Sequence, residues 1–312
     1  MKGRKYSLRL QRALTDFGIE ESFGKAAERF KEHYGYEMPV SSIRKITEKH
    51  AEQGAEWGKK EIRVRRKDKA KALIAEMDGS MIPTVEYQKD IQDKRKHKKL
   101  KWRELRLGAM QRHGEIAWLY CASFGSADEL GDAMYKLSEE LGLGNKTFIE
   151  GLGDGALWIK EQFDRVFGGS GKYLIDLYHL SEYLNKAAEV FGDRQRQWVV
   201  SQLKRIKSGK SHNVLKELRK LAKEHANKEG IRACVEYMKN RKGQFWYEEA
   251  IKKGLPIGSG AIESGHRSIV QKRIKKAGTW WLSKNAINIT KMRCVRANHE
   301  WELYWKEYAN AA

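Results

Sequence analysis

Ala72-Leu73-Ile74-Ala75-Glu76-Met77-Asp78-Gly79-Ser80 is a short apolar run that ends on a carboxylate beside a glycine. Its length and its Gly/Ser boundary predict a buried strand with Asp78 at its end. Working outward, residues 102–110 and 116–122 predict two more strands around a turn at Gln111-Arg112-His113-Gly114-Glu115, and residues 126–141 have the spacing of an amphipathic helix. Residues 145–150 predict a fourth strand running into Gly151-Leu152-Gly153-Asp154-Gly155, followed by a helix over 156–166. Residues 172–176 predict a fifth strand entering a helix that reaches Phe191. The order β-β-β-α-β-α-β-α predicts an α/β protein, a mixed sheet with helices on its faces. Residues 193–253 read as wholly helical and charged, and beyond Gly258-Ser259-Gly260 a further helix is expected over 261–276.

Upstream of the sheet, the first sixty residues read as helical. Phe23, Ala26, Ala27 and Phe30 fall at i, i+3, i+4 and i+7, and a turn at Gly35–Pro39 leads into a basic helix carrying Arg44 and Lys45. Two helices around a short turn suggest a helix-turn-helix-like DNA-binding region over 1–60, with a plain helical hairpin equally open. Two basic runs follow, 59–67 with Arg65 and Arg66, and 94–99; each reads as a phosphate-contacting segment or a solvated loop.

The chain has 312 residues, 62 Lys and Arg against 41 Asp and Glu, and a net charge of +21, which implies a polyanionic partner, nucleic acid before an anionic membrane surface. Ten Trp, thirteen Tyr and nine Phe argue against a disordered chain. No run approaches the ~20 apolar residues a bilayer span needs. Cys121, Cys234 and Cys294 form no CxxC pair, and read as reduced, mostly structural thiols of a cytoplasmic protein.

On so basic a chain, three carboxylates stand out by their settings: Asp78 at a strand end, Asp154 just past the fourth strand, and Glu263 on a late helix. If the first and fourth strands are neighbours, these acids converge at the sheet's carboxyl edge, where α/β sites form. Carboxylates so placed repel one another unless cations lie between them, and Mg2+ or Mn2+ takes oxygen ligands, two ions serving phosphoryl transfer when ~4 Å apart. Asp176 and His179, three apart at a strand-to-helix junction, are auxiliary candidates, and a simple N-cap for Asp176 is equally open. The Gly258–Gly260 loop and the helix start after it offer close backbone approach and N–H groups for phosphate. His266, Arg267, Arg273 and Lys275 add charge able to clamp a DNA backbone, while Trp280 and Trp281 either stack an unpaired base or fill the core. The segment Gly151–Gly155 lacks the Gly-x-x-x-x-Gly-Lys-Ser/Thr pattern of a nucleotide loop.

At Met77-Asp78-Gly79-Ser80, residues 153–159, Asp176-Leu177-Tyr178-His179, residues 258–263, Arg273-Ile274-Lys275, Trp280-Trp281 and the terminal Trp301–Trp305, the chain resembles DDE transposases of bacterial insertion sequences, near the ISKra group and the Mutator-like superfamily. The resemblance implies an RNase H-like core over 71–192 and 254–312, interrupted by an all-helical insertion over 193–253. It implies Asp78, Asp154 and Glu263 as the catalytic, metal-binding triad, and Asp176 and His179 as an Asp-x-x-His signature. The implied reaction is cleavage at the element's terminal inverted repeats, then attack of the freed 3′-hydroxyl on target DNA, by a homo-oligomer and without a covalent protein–DNA intermediate. Related transposases often carry a longer N-terminal DNA-binding region, sometimes with cysteine-rich zinc binding; about sixty residues without cysteine pairs imply reduced end recognition or a truncated or domesticated copy. A DNA-binding regulator derived from a transposase and an RNase H-like nuclease or resolvase are the alternative readings.

Overall fold

The computed structural model describes residues 6–58, 68–87 and 98–311. Five strands form one mixed sheet in the order β3-β2-β1-β4-β5: β1 (Ala72–Tyr87), β2 (Lys98–Arg112), β3 (Leu119–Ser123), β4 (Phe148–Gly153) and β5 (Gly171–Ile175). β1 pairs antiparallel with β2, and β2 with β3, whereas β4 runs parallel to both β1 and β5. The parallel pairs are linked by α5 (Leu157–Phe167) on one side and, from β3, by α4 (Ala127–Glu140), as parallel crossovers require.

β1 does not stop at Asp78. It continues in register with β2 to Tyr87, since Ile82, Thr84 and Val85 keep a buried, β-branched pattern beyond Gly79-Ser80. The strand end expected at Asp78 is therefore mid-strand. β4 likewise starts later than its apolar pattern suggested and includes Gly151 and Gly153. Gly151 is a packing glycine: a Cβ there would lie 2.5 Å from the Phe163 ring, and the bare backbone lets α5 close onto the sheet.

One core joins the sheet to α4, α5 and α6 (Leu177–Ala187) through Leu73, Leu152, Phe163, Leu174 and Leu180. It continues without a break into α7 (Gln195–Lys207), α8 (Ser211–Glu224), α9 (Glu229–Asn240) and α10 (Tyr247–Lys252), through Val199, Leu218, Cys234 and Tyr247. The helical stretch after β5 thus packs onto the sheet's β5 side. On the other side, Ile82, Leu105 and Leu107 meet Ile262, Ile269 and Trp281, and then α12 (Ser283–Ala297) and α13 (Trp301–Ala311).

The N-terminal α1 (Leu8–Glu20), α2 (Phe23–Tyr34) and α3 (Val40–Trp57) enclose a small core of Leu14, Ala26, Phe30, Ile43 and Ile46. α2 and α3 are joined through Gly35, whose φ of 77° closes α2. Beyond that local core, α3 packs along α12, and Ile19, Ala51 and Trp57 enter the same cluster as the C-terminal helices. All three cysteines are free thiols, Cys234 and Cys294 buried and Cys121 half-buried. Among the described residues, no helix is long and apolar enough to cross a membrane.

Candidate active site

The β1–β4 register decides where two of the acids meet. Glu76 is paired with Leu152, so two places further along Asp78 comes abreast of Asp154, at the point where β4 ends and β1 continues. Glu263 arrives from α11 (Gly260–Gly265), a single short helix laid across β1 and β2. The three carboxylates line one cavity of about 200 Å³, together with Asp176, His179, Glu182 and Ser259. The three acids thus share one cavity at the edge where the sequence places them.

Each acid is held differently. Asp78 Oδ1 accepts from its neighbour Gly79 N at 2.7 Å, and Oδ2 lies 3.3 Å from His266 Nε2. Burial raises the Asp78 pKa above the usual carboxylate range, and the nearby charge of Asp154 adds to this against the pull of His266. Burial lowers the pKa of His266. Asp154 Oδ1 accepts from Ala156 N at 2.7 Å, an Asx-turn that aims its second oxygen away from the backbone. That turn is braced from α9, where Tyr237 Oη donates to the Asp154 carbonyl at 2.7 Å and Arg241 Nε to the Gly155 carbonyl at 3.0 Å. Glu263 is exposed on its helix.

Asp176 is a structural clamp. Its Oδ1 caps α6 by accepting from Tyr178 N at 2.6 Å and His179 N at 3.0 Å, while Oδ2 accepts from both N and Oγ of Ser259 at 2.5 Å. With four donors on two oxygens its acceptor capacity is used, and the side chain is buried. Asp176 therefore fixes the Gly258–Gly260 loop to the start of α6. His179 faces the same cavity, with Nδ1 3.7 Å from Glu182 and its ring beside Tyr183 and Tyr237.

Four expectations about this region are corrected. Gly258 makes room for a protein ring: a Cβ there would lie 2.7 Å from Tyr178. The first N–H groups of α11 are not free for phosphate, because buried Glu76 accepts from Ile262 N at 2.7 Å and also engages Ala261 N. The long helix expected over 261–276 breaks after Gly265 into a π-helical turn, His266–Gln271, and then irregular turns. That break swings His266 inward to Asp78, where it is 3% exposed, so it is no surface DNA contact.

The remaining basic candidates divide by location. Arg267 and Lys275 are exposed, Lys275 Nζ donating to Ser80 Oγ at 3.2 Å just beyond Asp78. Arg273 is buried, only 2% exposed, rather than spread on the surface. Arg44 and Lys45 sit on the exposed face of α3. Trp280 is exposed while Trp281 is core, its Nε1 donating to the Ile274 carbonyl at 3.1 Å. Arg65, Arg66 and most of the 94–99 basic run lie outside the described residues.

Glu76, Glu150, Tyr237 and Arg241 were not singled out from sequence. For the first two the signal was available: a carboxylate inside an apolar run bound for a central strand is rare unless it serves a site. The donor set of Asp78, Asp154 and Glu263 is hard oxygen, the type Mg2+ and Mn2+ take. It suits such an ion in donor chemistry, and the Asp78–Asp154 repulsion is the kind a cation relieves. The arrangement is open: among the described residues, no three His, Cys, Asp or Glu side chains are drawn together closely enough to cage an ion.

Comparison with known proteins gives a family and little more. Residues 2–301 match a family described as an uncharacterised protein family, UPF0236. No curated protein matches the chain. Among solved structures, one that matches is the Drosophila P element transposase strand transfer complex, at 7% identity and a TM-score of 0.34, covering 96% of this chain and 81% of that one. A likeness that weak decides neither fold nor chemistry.

Proposed function

We propose that this chain, which belongs to the uncharacterised protein family UPF0236, is a metal-dependent DNA-cleaving and strand-transferring enzyme of the DDE transposase type. The observation that carries this reading is the cavity lined at once by Asp78, Asp154 and Glu263, which come from three elements spread over 186 residues of a chain with net charge +21. The strand order, with its antiparallel β1–β3 and parallel β4 and β5, supports an RNase H-like core over 71–192 and 254–312. The helices of 193–253 then form an insertion that braces the Asp154 turn through Tyr237 and Arg241.

In this reading Asp78, Asp154 and Glu263 hold Mg2+ or Mn2+, one or two ions, which when bound stabilise charge on the attacking and leaving oxygens of a phosphodiester. His266 orients Asp78, Asp176 fixes the loop that leads into the Glu263 helix, and His179 stands at the cavity wall to meet a phosphate or leaving oxygen. Cleavage forms one P–O bond to water and breaks the bond to the 3′-oxygen, which leaves as a hydroxyl. Transfer forms a P–O bond from that hydroxyl to target DNA and breaks one in the target strand, so no bond energy is lost to a protein adduct. The chain's basic residues, among them Arg44, Lys45, Arg65, Arg66, Arg267 and Lys275, carry double-stranded DNA: terminal inverted repeats and target. Two ends joined together need at least two such sites, hence a homo-oligomer, working in the bacterial cytoplasm. The order of the motifs favours an ISKra-like enzyme.

The test is cleavage of a duplex bearing the inverted repeat that flanks the coding region, with Mg2+ and with EDTA. Asp78→Asn, Asp154→Asn and Glu263→Gln are each expected to lower cleavage at least 10²-fold while duplex affinity stays within about threefold, on the scale of losing one electrostatic element of a site. Wild-type-like cleavage by Asp78→Asn would overturn the assignment. Cleavage of branched DNA without strand transfer would make the protein a nuclease of the same core.

A further inference from the structure

About seven residues beyond Asp78, β1 reaches a second cavity. At ~3.3 Å per strand residue the two lie roughly 20 Å apart. This cavity, of about 380 Å³, is lined by Ser22 and Phe23 of α2, Arg44 and Glu48 of α3, Val85 and Tyr87 of β1, and the stretch from Arg273 to Asn285. Its volume falls in the roughly 300–1,000 Å³ range of ligand pockets.

Its wall holds a buried cation with no close ion-pair partner among the described residues, only the longer-range charges of Glu21, Glu20 and Glu48. The Arg273 guanidinium is buried between the rings of Phe23 and Trp281, 4.8 and 4.6 Å from their centroids, and Nε donates to the Gly18 carbonyl at 3.1 Å. Its Nη2 is buried without any hydrogen-bond partner, and among the described residues no carboxylate lies within ion-pair distance of it. Neighbouring acids are engaged elsewhere: Glu21 with Arg29 and Lys276, Glu20 with Lys272 and Arg293. A buried charge left so costs several kcal/mol by order of magnitude, unless something anionic completes it. Glu48, the one carboxylate on the wall, accepts from Asn285 Nδ2 at 2.8 Å, and with Arg44 and Arg273 the lining stays net cationic.

The mouth is aromatic. Trp280 is 53% and Tyr87 39% exposed, flanking the entrance beside Arg44. Large exposed rings next to a buried, unsatisfied guanidinium match the two halves of a nucleotide: a π-face to stack and an anion to neutralise. Glu48 supplies an acceptor for the exocyclic amine of a base. A paired base has both faces covered by its neighbours and cannot use these groups.

We propose that this cavity takes one unpaired nucleotide of a DNA strand, its phosphate against Arg273 and Arg44 and its base stacked on Trp280. The inference rests on the DNA-binding part of the proposed function but not on catalysis. The Arg273 end of the cavity and His266 at Asp78 sit on one continuous segment, so a strand engaged here would be held at a fixed offset from the acidic site.

The experiment measures fluorescence anisotropy of the full-length protein in EDTA, where cleavage plays no part. The probes are a 30-base-pair duplex and the same duplex carrying one unpaired 2-aminopurine. Wild type is expected to bind the bulged duplex about tenfold more tightly than the paired one and to quench the 2-aminopurine, consistent with ~1–3 kcal/mol for one stacked base. Trp280→Ala should bring the affinity ratio near one and abolish the quenching, and Trp280→Phe should recover part of both. Arg44→Ala should lower the ratio several-fold, with Arg44→Lys between. Equal affinity of wild type for the two probes overturns the proposal, as does a full preference retained by Trp280→Ala. Loss of metal-dependent cleavage with the bulge preference intact would sink the catalytic reading and leave this one standing.

Discussion

Glu150 and Glu76 lie on one face of adjacent strands beneath the acidic cavity, and both are buried. Neither oxygen of Glu150 has a hydrogen-bond partner. Burial raises its pKa to about 8, helped by the charge of Glu76, itself raised to about 8 chiefly by burial. The folded state therefore holds protons that the unfolded chain releases near the ordinary glutamate pKa. Stability is full below about pH 4.5 and is lost as pH rises toward 8. Glu150→Gln keeps the shape and removes the titration. Its stability should match wild type within about 1 kcal/mol at pH 5 and exceed it by about 2–4 kcal/mol at pH 8. Urea unfolding at both pH values checks this, and parallel pH profiles for the two proteins would contradict it. Neither residue stands out by motif: a Glu in an apolar run announces a buried charge, but the strand pairing that sets the two carboxylates together is not written locally.

At the scale of elements, the site depends on how α6, α11 and the Gly258–Gly260 loop are tied together, and Asp176 makes that tie. Asp176→Asn keeps an oxygen to cap α6 but presents an NH2 group to the Ser259 N–H and hydroxyl, donor against donor. The expected result is a loss of about 1–3 kcal/mol and faster amide hydrogen exchange confined to 258–262, with α6 still protected. Unchanged protection of the Ser259 amide would show that the clamp is not needed. The element order and the helix positions after β3 were legible in the sequence, because apolar spacing and N-caps such as Ser126 and Asp176 are local signals. The ends of β1 and β4 were not. Gly79-Ser80 and Gly151-Leu152-Gly153 read as strand ends, yet the first is held in a long antiparallel pair with β2 and the second is glycine for the sake of Phe163 and Tyr173. The three acids were legible as three settings, and their place on one cavity followed once β1 and β4 proved to be neighbours. The break after Gly265 was not legible, since Ala261–Lys276 has ordinary helical spacing and only packing against Asp78 and Arg293 turns it.

Across the whole molecule, the chain's two ends are sewn to each other behind the sheet. Arg12 pairs with Glu302, Trp57 Nε1 donates to Glu307 at 2.7 Å, and His50 bridges Gln11 and Tyr304 at 3.0 and 2.9 Å. The first pair is exposed and adds little. His50 is fully buried, and burial with the Lys49 charge lowers its pKa to about 4, so the folded protein keeps it neutral where the unfolded chain would protonate it. Its contribution is thus complete above about pH 6.5 and is lost as pH falls toward 4. His50→Phe retains a ring among Trp305 and Tyr308 but leaves Gln11 Oε1 without its imidazole partner and Tyr304 Oη with only the residue-50 carbonyl. It should cost about 2–4 kcal/mol at pH 7. Because only wild type has this histidine to titrate, the gap between the two proteins should narrow by up to ~1.4 kcal/mol per pH unit below 6.5. Thermal or urea unfolding of both proteins at pH 7, 6 and 5 measures the gap. A gap that stays constant would mean that His50 is protonated in the folded state, and that the N-terminal helices are fastened to the C-terminal ones by ring packing rather than by this buried hydrogen-bonded bridge.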